Sequence, residues 1–302
     1  MREDLTNFIK KEFDFFNENF LLSIENSMED FAPIIAYTNK TKGKQLRPII
    51  GILCAKCLGE FNEQQNLLLQ AIELIHNATL FHDDVIDEAA ERRNQKTLHK
   101  EFSSKIAILT GDYFLSCALR NIYKIKNPEL NELFADCMIK ICEGEIEQNL
   151  TLNKILPLEK YIEKTRRKTA LLFKLVAQGI SILSGTSNKQ LEVFGENFGI
   201  LFQINDDLKN FMPAENKPIL NDLKSGVITA PIIFLSEEYP KVNELLKRNQ
   251  YDAILELLNK SNALKKTREL INKYKLSAQK ALNELPHSQA KNQLLDLLSE
   301  FW

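Results

Sequence analysis

Two acidic runs, His82-Asp83-Asp84-Val85-Ile86-Asp87 and Gln203-Ile204-Asn205-Asp206-Asp207-Leu208-Lys209-Asn210, interrupt strongly apolar stretches of the chain. Asp83 and Asp87 stand four residues apart, so on an α-helix their carboxylates project from one face about a turn apart, close enough to share hard cations. Asp206 and Asn210 repeat the spacing. Carboxylates flanked by Ala78, Leu80, Phe81, Val85 and Ile86, or by Phe202, Ile204 and Leu208, repel one another and lose hydration unless a cation joins them. Mg²⁺ suits such a place: it takes oxygen ligands, keeps several waters, and is commonly held by one or two carboxylates plus substrate phosphates. A single Asp-Asp pair is more simply a solvated helix end. Two of them, with basic residues spaced between, point to chemistry.

Those basic residues form four groups. Lys42, Lys44 and Arg47 lie at a loop-to-helix entry; Arg92 and Arg93, with Lys96 beyond, follow the first acidic run; Arg166, Arg167 and Lys168 precede Thr169; Lys209, Lys217 and Lys224 surround or follow the second run. Arginine meets phosphate oxygens with a planar fork and lysine adds a compact charge, so the mixture suits a diphosphate. One group alone is a solvated charged face. Alternating with carboxylates, they suit diphosphates held both directly and through Mg²⁺. His76 precedes Asp83 by seven residues, two helical turns, and shares its face; His99 and His287 have no such neighbours.

With these residues in place, the chain resembles the trans-type polyprenyl diphosphate synthases, from about residue 40 to residue 231. Asp83-Asp84-Val85-Ile86-Asp87 resembles the family's first DDxxD, followed by Arg92-Arg93. Gly43-Lys44-Gln45-Leu46-Arg47-Pro48 is similar to its GKxxRP element, Gly111-Asp112-Tyr113 to its GDY, Lys168-Thr169 to its KT pair, and Phe202-Gln203-Ile204-Asn205-Asp206-Asp207 to its FQxxDD. The resemblance implies head-to-tail condensation of isopentenyl diphosphate onto an allylic prenyl diphosphate. Asp83, Asp87 and Asp206 would bind Mg²⁺, three ions per site, with Asp84 and Asp207 in support. Arg92, Lys168 and Lys217 would contact the allylic diphosphate. Lys44, Arg47, His76 and Arg93 would hold the diphosphate of isopentenyl diphosphate, and Thr169 and Gln203 would steady the carbocation. It also implies a homodimer.

Two positions depart from the family pattern. Asn210 stands where a third aspartate is usual, which implies weaker metal affinity with activity retained. In Asn221-Asp222-Leu223-Lys224-Ser225-Gly226-Val227-Ile228-Thr229-Ala230-Pro231, Val227 replaces a lysine, so one diphosphate contact is missing; whether Lys224 substitutes for it stays open. The chemistry needs no nucleophilic side chain. Positive charge stabilises the diphosphate as the allylic C–O bond breaks, and an apolar pocket keeps water from the cation.

Product length is addressed by the helix before the first motif. Ala78, five residues before Asp83, takes the place where short-chain members often put an aromatic. With Thr79, Ile75 and Ile72 it gives a slender lining, and a helix over residues 63–88 runs about 35–40 Å. The expectation is a long-chain product near octaprenyl, of use in a quinone side chain; a deeper Phe114 or Phe134 would instead stop growth earlier, at farnesyl or geranylgeranyl.

The elements that position these residues read as helices. Glycine is scarce at 10 and proline at 9 in 302 residues, apolar residues recur at helical spacing, as in Leu67, Ala71, Leu74, Ile75 and Ala78, and strand alternation is not sustained. Breaks are expected near Thr38–Gly43, Glu91–Thr97, Lys126–Pro128, Ser184–Asn188, Pro213–Gly226, Tyr239–Pro240 and Leu285–Pro286. The expected fold is all-α, a single isoprenoid-synthase-type domain over residues 1–302, bundled around a deep central cavity with the acidic runs facing each other at its mouth. A net charge of −2, with 41 acids against 39 bases, argues against nucleic acid. No apolar run approaches the ~18 residues of a transmembrane helix, and the start Met1-Arg2-Glu3-Asp4-Leu5 lacks a signal-peptide core, so a cytoplasmic protein is expected. Five cysteines, including Cys54-x-x-Cys57 without a second pair, read as reduced thiols.

Three other classes stay open. A terpene cyclase shares the metal logic but needs no second diphosphate site. A silent subunit of a heteromeric prenyl synthase is expected to lose an aspartate motif, and Asn210 and Val227 are the hints in that direction. A plain helical scaffold gives no reason for the ordered charge clusters.

Overall fold

The computed structural model describes residues 3–24, 28–40, 43–212 and 220–301. Within them the chain is all-α. The helices are α1 (Glu3–Phe8), α2 (Lys10–Ser23), α3 (Ala32–Lys40), α4 (Leu46–Leu58), α5 (Glu63–Ile86), α6 (Leu98–Glu101), α7 (Ser104–Ile125), α8 (Pro128–Leu150) and α9 (Leu158–Thr165). A π-helical turn, Arg166–Ala170, joins α9 to α10 (Leu171–Leu183). Then come α11 (Lys189–Lys209), α12 (Asn221–Lys224), α13 (Ala230–Glu238), α14 (Val242–Lys247), α15 (Tyr251–Lys260), α16 (Ala263–Asn283) and α17 (Gln289–Ser299).

The sequence pattern expects no strand, yet a short antiparallel hairpin pairs β1 (Glu91–Arg92) with β2 (Gln95–Lys96), Arg92 opposite Gln95. Arg93 and Asn94 at its tip take φ of 55° and 61°, the doubly left-handed geometry of a two-residue type I′ turn. Arms of two residues carry no readable alternation, which is why the pattern misses them.

By their contacts the residues form two compact units. The first takes the chain as far as Leu133, with 176–188 and 288–293. Its centre is the α5–α7 pair. Asn62 caps α5 by accepting from Gln65 N at 3.0 Å, while Gln65 Oε1 accepts from Asn62 N, the reciprocal capping box that satisfies two orphan N–H groups. Leu68, Leu69, Ile72, Ile75 and Ala78 are fully buried along α5, and each large apolar side chain so buried stabilises by about 1.5–3 kcal/mol. α7 runs antiparallel to α5: Gln70 Oε1 accepts from Asn121 Nδ2 at 3.2 Å, Phe81 meets Phe114 edge-on at 5.2 Å, and the His82 ring lies on Gly111. A Cβ at Gly111 would stand 2.2 Å from His82 Nε2, so the close approach needs glycine there.

The second unit comprises Phe134–Leu175, Lys189–His287 and the chain from Leu294. α11 is its axis, packed on α16 and on the π turn. Phe194, Phe198 and Phe202, spaced by four, form one aromatic ridge that meets Phe173 and Phe301. Gly199, inside the ridge, lets α11 close onto Ala170: a Cβ there would be 2.4 Å from Ala170 Cα.

Candidate active site

The first acidic run occupies the last turn of α5, which ends at Ile86, two residues short of the 63–88 expected. Asp87 caps the helix, its N–H donating to the Asp83 carbonyl at 2.8 Å. Asp87 is exposed and Asp83 half-buried, whereas Asp84 is buried and faces the hairpin. Arg92 donates to Asp84 Oδ1 through Nε at 2.9 Å and approaches it through Nη2 at 2.7 Å. Asp84 therefore positions the hairpin arginine, while Asp83 and Asp87 share the more open face.

Beside this run, the predicted basic residues of the first unit come together around an acid that sequence reasoning missed. Arg47, in the first turn of α4, is buried, and burial pulls its guanidinium down to about 10 while the Glu73 charge pulls it back up; it remains a cation at neutral pH. Burial drives the His76 imidazole well below its ordinary range, and Arg47, Arg93 and Arg92 add to the fall. His76 is thus a neutral N–H donor in the field of three arginines. The Arg93 guanidinium lies over Gly43, where a Cβ would stand 2.4 Å from Nη2 and displace the end of the arginine side chain. Lys44 is exposed in the entry loop. Arg92, Arg93, Lys96 and Asp84 line a small cleft with Tyr37, Asn77 and Phe81. Glu73 was legible as an acid inside the apolar Ile72–Ile75 stretch, but only its contacts reveal its role as counter-charge to Arg47 and Arg93.

In the second unit, Asp206 is half-buried and Asp207 buried. Asp207 accepts from Tyr161 Oη at 2.5 Å and from Gln203 Nε2 at 2.7 Å. Burial pushes its carboxyl up to about 7, with Asp222 and Asp206 pushing the same way and the two donors opposing. Thr169 Oγ1 donates to Gln203 Oε1 at 2.7 Å, and Lys168 Nζ pairs with Glu145 at 2.6 Å. Lys168 and Thr169 both lie in the π turn, a distortion that recurs at functional sites. Arg166 and Arg167, grouped with them by sequence, instead pair with Glu163, Glu196 and Glu147 and brace α9 against α8 and α11. Tyr161 and Lys164 were missed. Lys164 is buried, and burial lowers its ammonium while the Asp207 charge raises it.

Asn210 has a structural account. Its Nδ2 donates to the Asp222 carboxylate and, at 3.4 Å, to the Asp206 carbonyl, leaving its side-chain oxygen as an acceptor-type ligand. An aspartate at 210 would set two carboxylates against each other. Lys209 and Lys224 are exposed and Val227 half-buried; Lys217 lies outside the described residues, as does Lys42. Ala78 and Ile75 have no exposed surface, and Thr79, half-buried, donates to the His76 carbonyl at 2.9 Å.

Among the described residues no three His, Cys, Asp or Glu side chains converge to hold a metal ion by themselves. The Asp83 and Asp87 carboxylates at the end of α5 are oxygen donors of the kind that hold a hard divalent cation together with substrate phosphates. No helix among the described residues is long and apolar enough to cross a membrane.

A family model described as polyprenyl synthetase matches residues 29–274. The chain is 33% identical over 276 residues to the decaprenyl-diphosphate synthase of Dictyostelium discoideum, covering 87% of this chain but 60% of that protein. It is 33% identical over 269 residues to heptaprenyl diphosphate synthase component 2 of Geobacillus stearothermophilus, covering 84% of each. A polyprenyl synthase from Caulobacter crescentus, solved in complex with calcium and isoprenyl diphosphate, superposes with a TM-score of 0.90 at 25% identity over 97% of this chain and 95% of that one. Both acidic runs and all four basic groups fall inside the matched span, and the chain belongs to the polyprenyl synthetase family.

Proposed function

We propose that the chain is a metal-dependent prenyltransferase that condenses isopentenyl diphosphate with an allylic prenyl diphosphate to give an all-trans long-chain polyprenyl diphosphate, near forty carbons. The observation that carries this reading is the Arg47–His76–Arg93 group beside the Asp83–Asp87 turn. A terpene cyclase has one diphosphate to hold; a synthase has two, and this group is a second anion site with a neutral hydrogen-bond donor in its centre.

Asp83 and Asp87, with Asp206, would hold Mg²⁺, three ions in all, and bound Mg²⁺ would supply the charge that stabilises the leaving diphosphate. Calcium with isoprenyl diphosphate in the Caulobacter relative supports a divalent ion in that role. Asp84 acts by holding Arg92, and Asp207 by holding Gln203. Arg92 and Lys168 would contact the allylic diphosphate, as would Lys217 from outside the described residues; Lys44, Arg47, His76 and Arg93 would take that of isopentenyl diphosphate. Thr169 and Gln203 would offer oxygen lone pairs to the allylic cation, and the growing chain would have to part the packing around Ala78 and Ile75, which have no exposed surface, to pass them and Thr79. Residues 1–302 act as one catalytic domain, in a cytoplasmic homodimer whose product serves a quinone side chain.

A second reading, one subunit of a two-component synthase, is favoured by the Geobacillus relative named component 2. The test is incubation of the purified chain with farnesyl diphosphate, excess isopentenyl diphosphate and Mg²⁺, beside an EDTA control, with products read by mass spectrometry. A metal-dependent ladder ending near forty carbons is expected. No condensation by the chain alone overturns the first reading in favour of the second.

A further inference from the structure

The second acidic run is tied to the π turn by three consecutive hydrogen bonds. Tyr161 Oη donates to Asp207 Oδ2 at 2.5 Å, Gln203 Nε2 to Asp207 Oδ1 at 2.7 Å, and Thr169 Oγ1 to Gln203 Oε1 at 2.7 Å. Tyr161 is 2% exposed, Asp207 4% and Thr169 7%, so both ends of the chain are shielded from water, while Gln203 between them is half-buried. Both Asp207 oxygens accept, so Gln203 turns its NH₂ toward Asp207 and its carbonyl toward Thr169. A hydroxyl has one proton; with that proton committed to Gln203, the Thr169 oxygen keeps both lone pairs for whatever lies on its other side. Successive hydrogen bonds polarise one another in a low-dielectric interior, so donation running from Thr169 through Gln203 to Asp207 enriches the oxygen at the far end.

We infer that Tyr161 is a positioning residue for prenyl transfer: by fixing the Asp207 carboxylate it orients Gln203, and through it makes Thr169 present lone pairs, not a proton, to the developing allylic cation. The inference rests on the prenyltransferase reading and deepens it. Without the tyrosine hydroxyl, Asp207 Oδ2 becomes a buried acceptor lacking its short-range donor. The carboxylate then turns toward Lys164, whose ammonium belongs to the same α9 face one turn on, and the Gln203 amide loses its fixed direction. A tyrosine that served only to fill space would be replaced by phenylalanine without consequence for turnover.

The experiment compares wild type, Tyr161→Phe, Thr169→Ala and the double variant in steady-state condensation, with thermal melts of each. Tyr161→Phe is expected to lower kcat by about 10- to 100-fold, the range for losing a hydrogen bond to a charged group, with KM for both diphosphates within about twofold. In the Thr169→Ala background the same change is expected to lower kcat no further, because the oxygen it orients is gone; such non-additivity marks residues acting as a unit. Multiplying effects, or a rise in KM without a fall in kcat, overturn the inference. If Tyr161→Phe does not fold, Gln203→Glu cuts the same chain at its middle, and wild-type kcat in that variant overturns it equally. A wild type that condenses nothing refutes the prenyltransferase reading itself, an outcome separate from an active wild type with an indifferent Tyr161→Phe.

Discussion

Adding one methyl group at Gly199 tests whether the geometry of the second acidic run depends on the contact between α11 and the π turn. The new Cβ would lie 2.4 Å from Ala170 Cα, 2.8 Å from Ala170 Cβ and 3.1 Å from Phe173 Cδ2. Carbon atoms rest at about 3.5–4.0 Å, and a backbone Cα has no rotamer by which to move aside, so the two elements must part by roughly 1 Å. Thr169 adjoins Ala170, and Gln203 is one turn after Gly199, so their 2.7 Å bond stretches beyond the useful range with them. Overpacking costs about 1–3 kcal/mol and the lost hydrogen bond about 1 kcal/mol, while the better helix propensity of alanine returns about 1 kcal/mol. The net loss of about 1–3 kcal/mol corresponds to a Tm lower by roughly 2–10 °C. Turnover should fall by at least about tenfold at 25 °C, where the variant is still folded, since two groups facing the cation are displaced. Gly51→Ala is the control, because the atoms nearest its Cβ are the methyl groups and Cγ of Leu69; it should destabilise without touching kcat. Circular-dichroism melts and single-temperature kinetics suffice. A Gly199→Ala protein with wild-type kcat, or with a higher Tm, would refute the reasoning.

Asp83→Ala should abolish condensation, by about a thousandfold or more given the electrostatic role, with far-ultraviolet circular dichroism unchanged; wild-type activity would remove the metal role. Ala78→Phe should shorten the product seen by mass spectrometry and, because Ala78 has no exposed surface, also cost about 1–3 kcal/mol; a folded variant with unchanged product length would place the floor elsewhere. Asp207 gives a pH test in metal-free buffer. Burial holds its folded-state carboxyl at about 7, above an unfolded value near ~3.9, so between those values the native state binds the proton that the unfolded state has released, and stability falls as pH rises through the window. Asp207→Asn cannot ionise, so urea melts at pH 4 and pH 8 should show wild type losing about 2–4 kcal/mol relative to the variant. Parallel pH profiles would count against the buried, raised carboxyl.

What could be read from the chain without coordinates follows a physical division. α5 and α11 announce themselves because a long helix with one buried face repeats its apolar residues on every turn, and the spacing of Asp83 and Asp87 is meaningful as soon as a helix is assumed. Residues acting across large separations leave no such local trace. Tyr161 is one tyrosine on a short helix until Asp207, 46 positions away, is seen to accept its proton. Gly199 is one small residue in a phenylalanine-rich segment until Ala170 is found beneath it. The hairpin at 91–96 is set by two left-handed residues rather than by any pattern in its arms. Asn210 shows how a local reading changes with its surroundings. Taken alone it is a weakened aspartate, a departure from the family pattern. Set against Asp222, whose carboxylate takes its N–H, it is the neutral member of a pair. The charge missing at one position of the second run is carried twelve residues later, so the two positions have to be judged together when metal affinity is inferred.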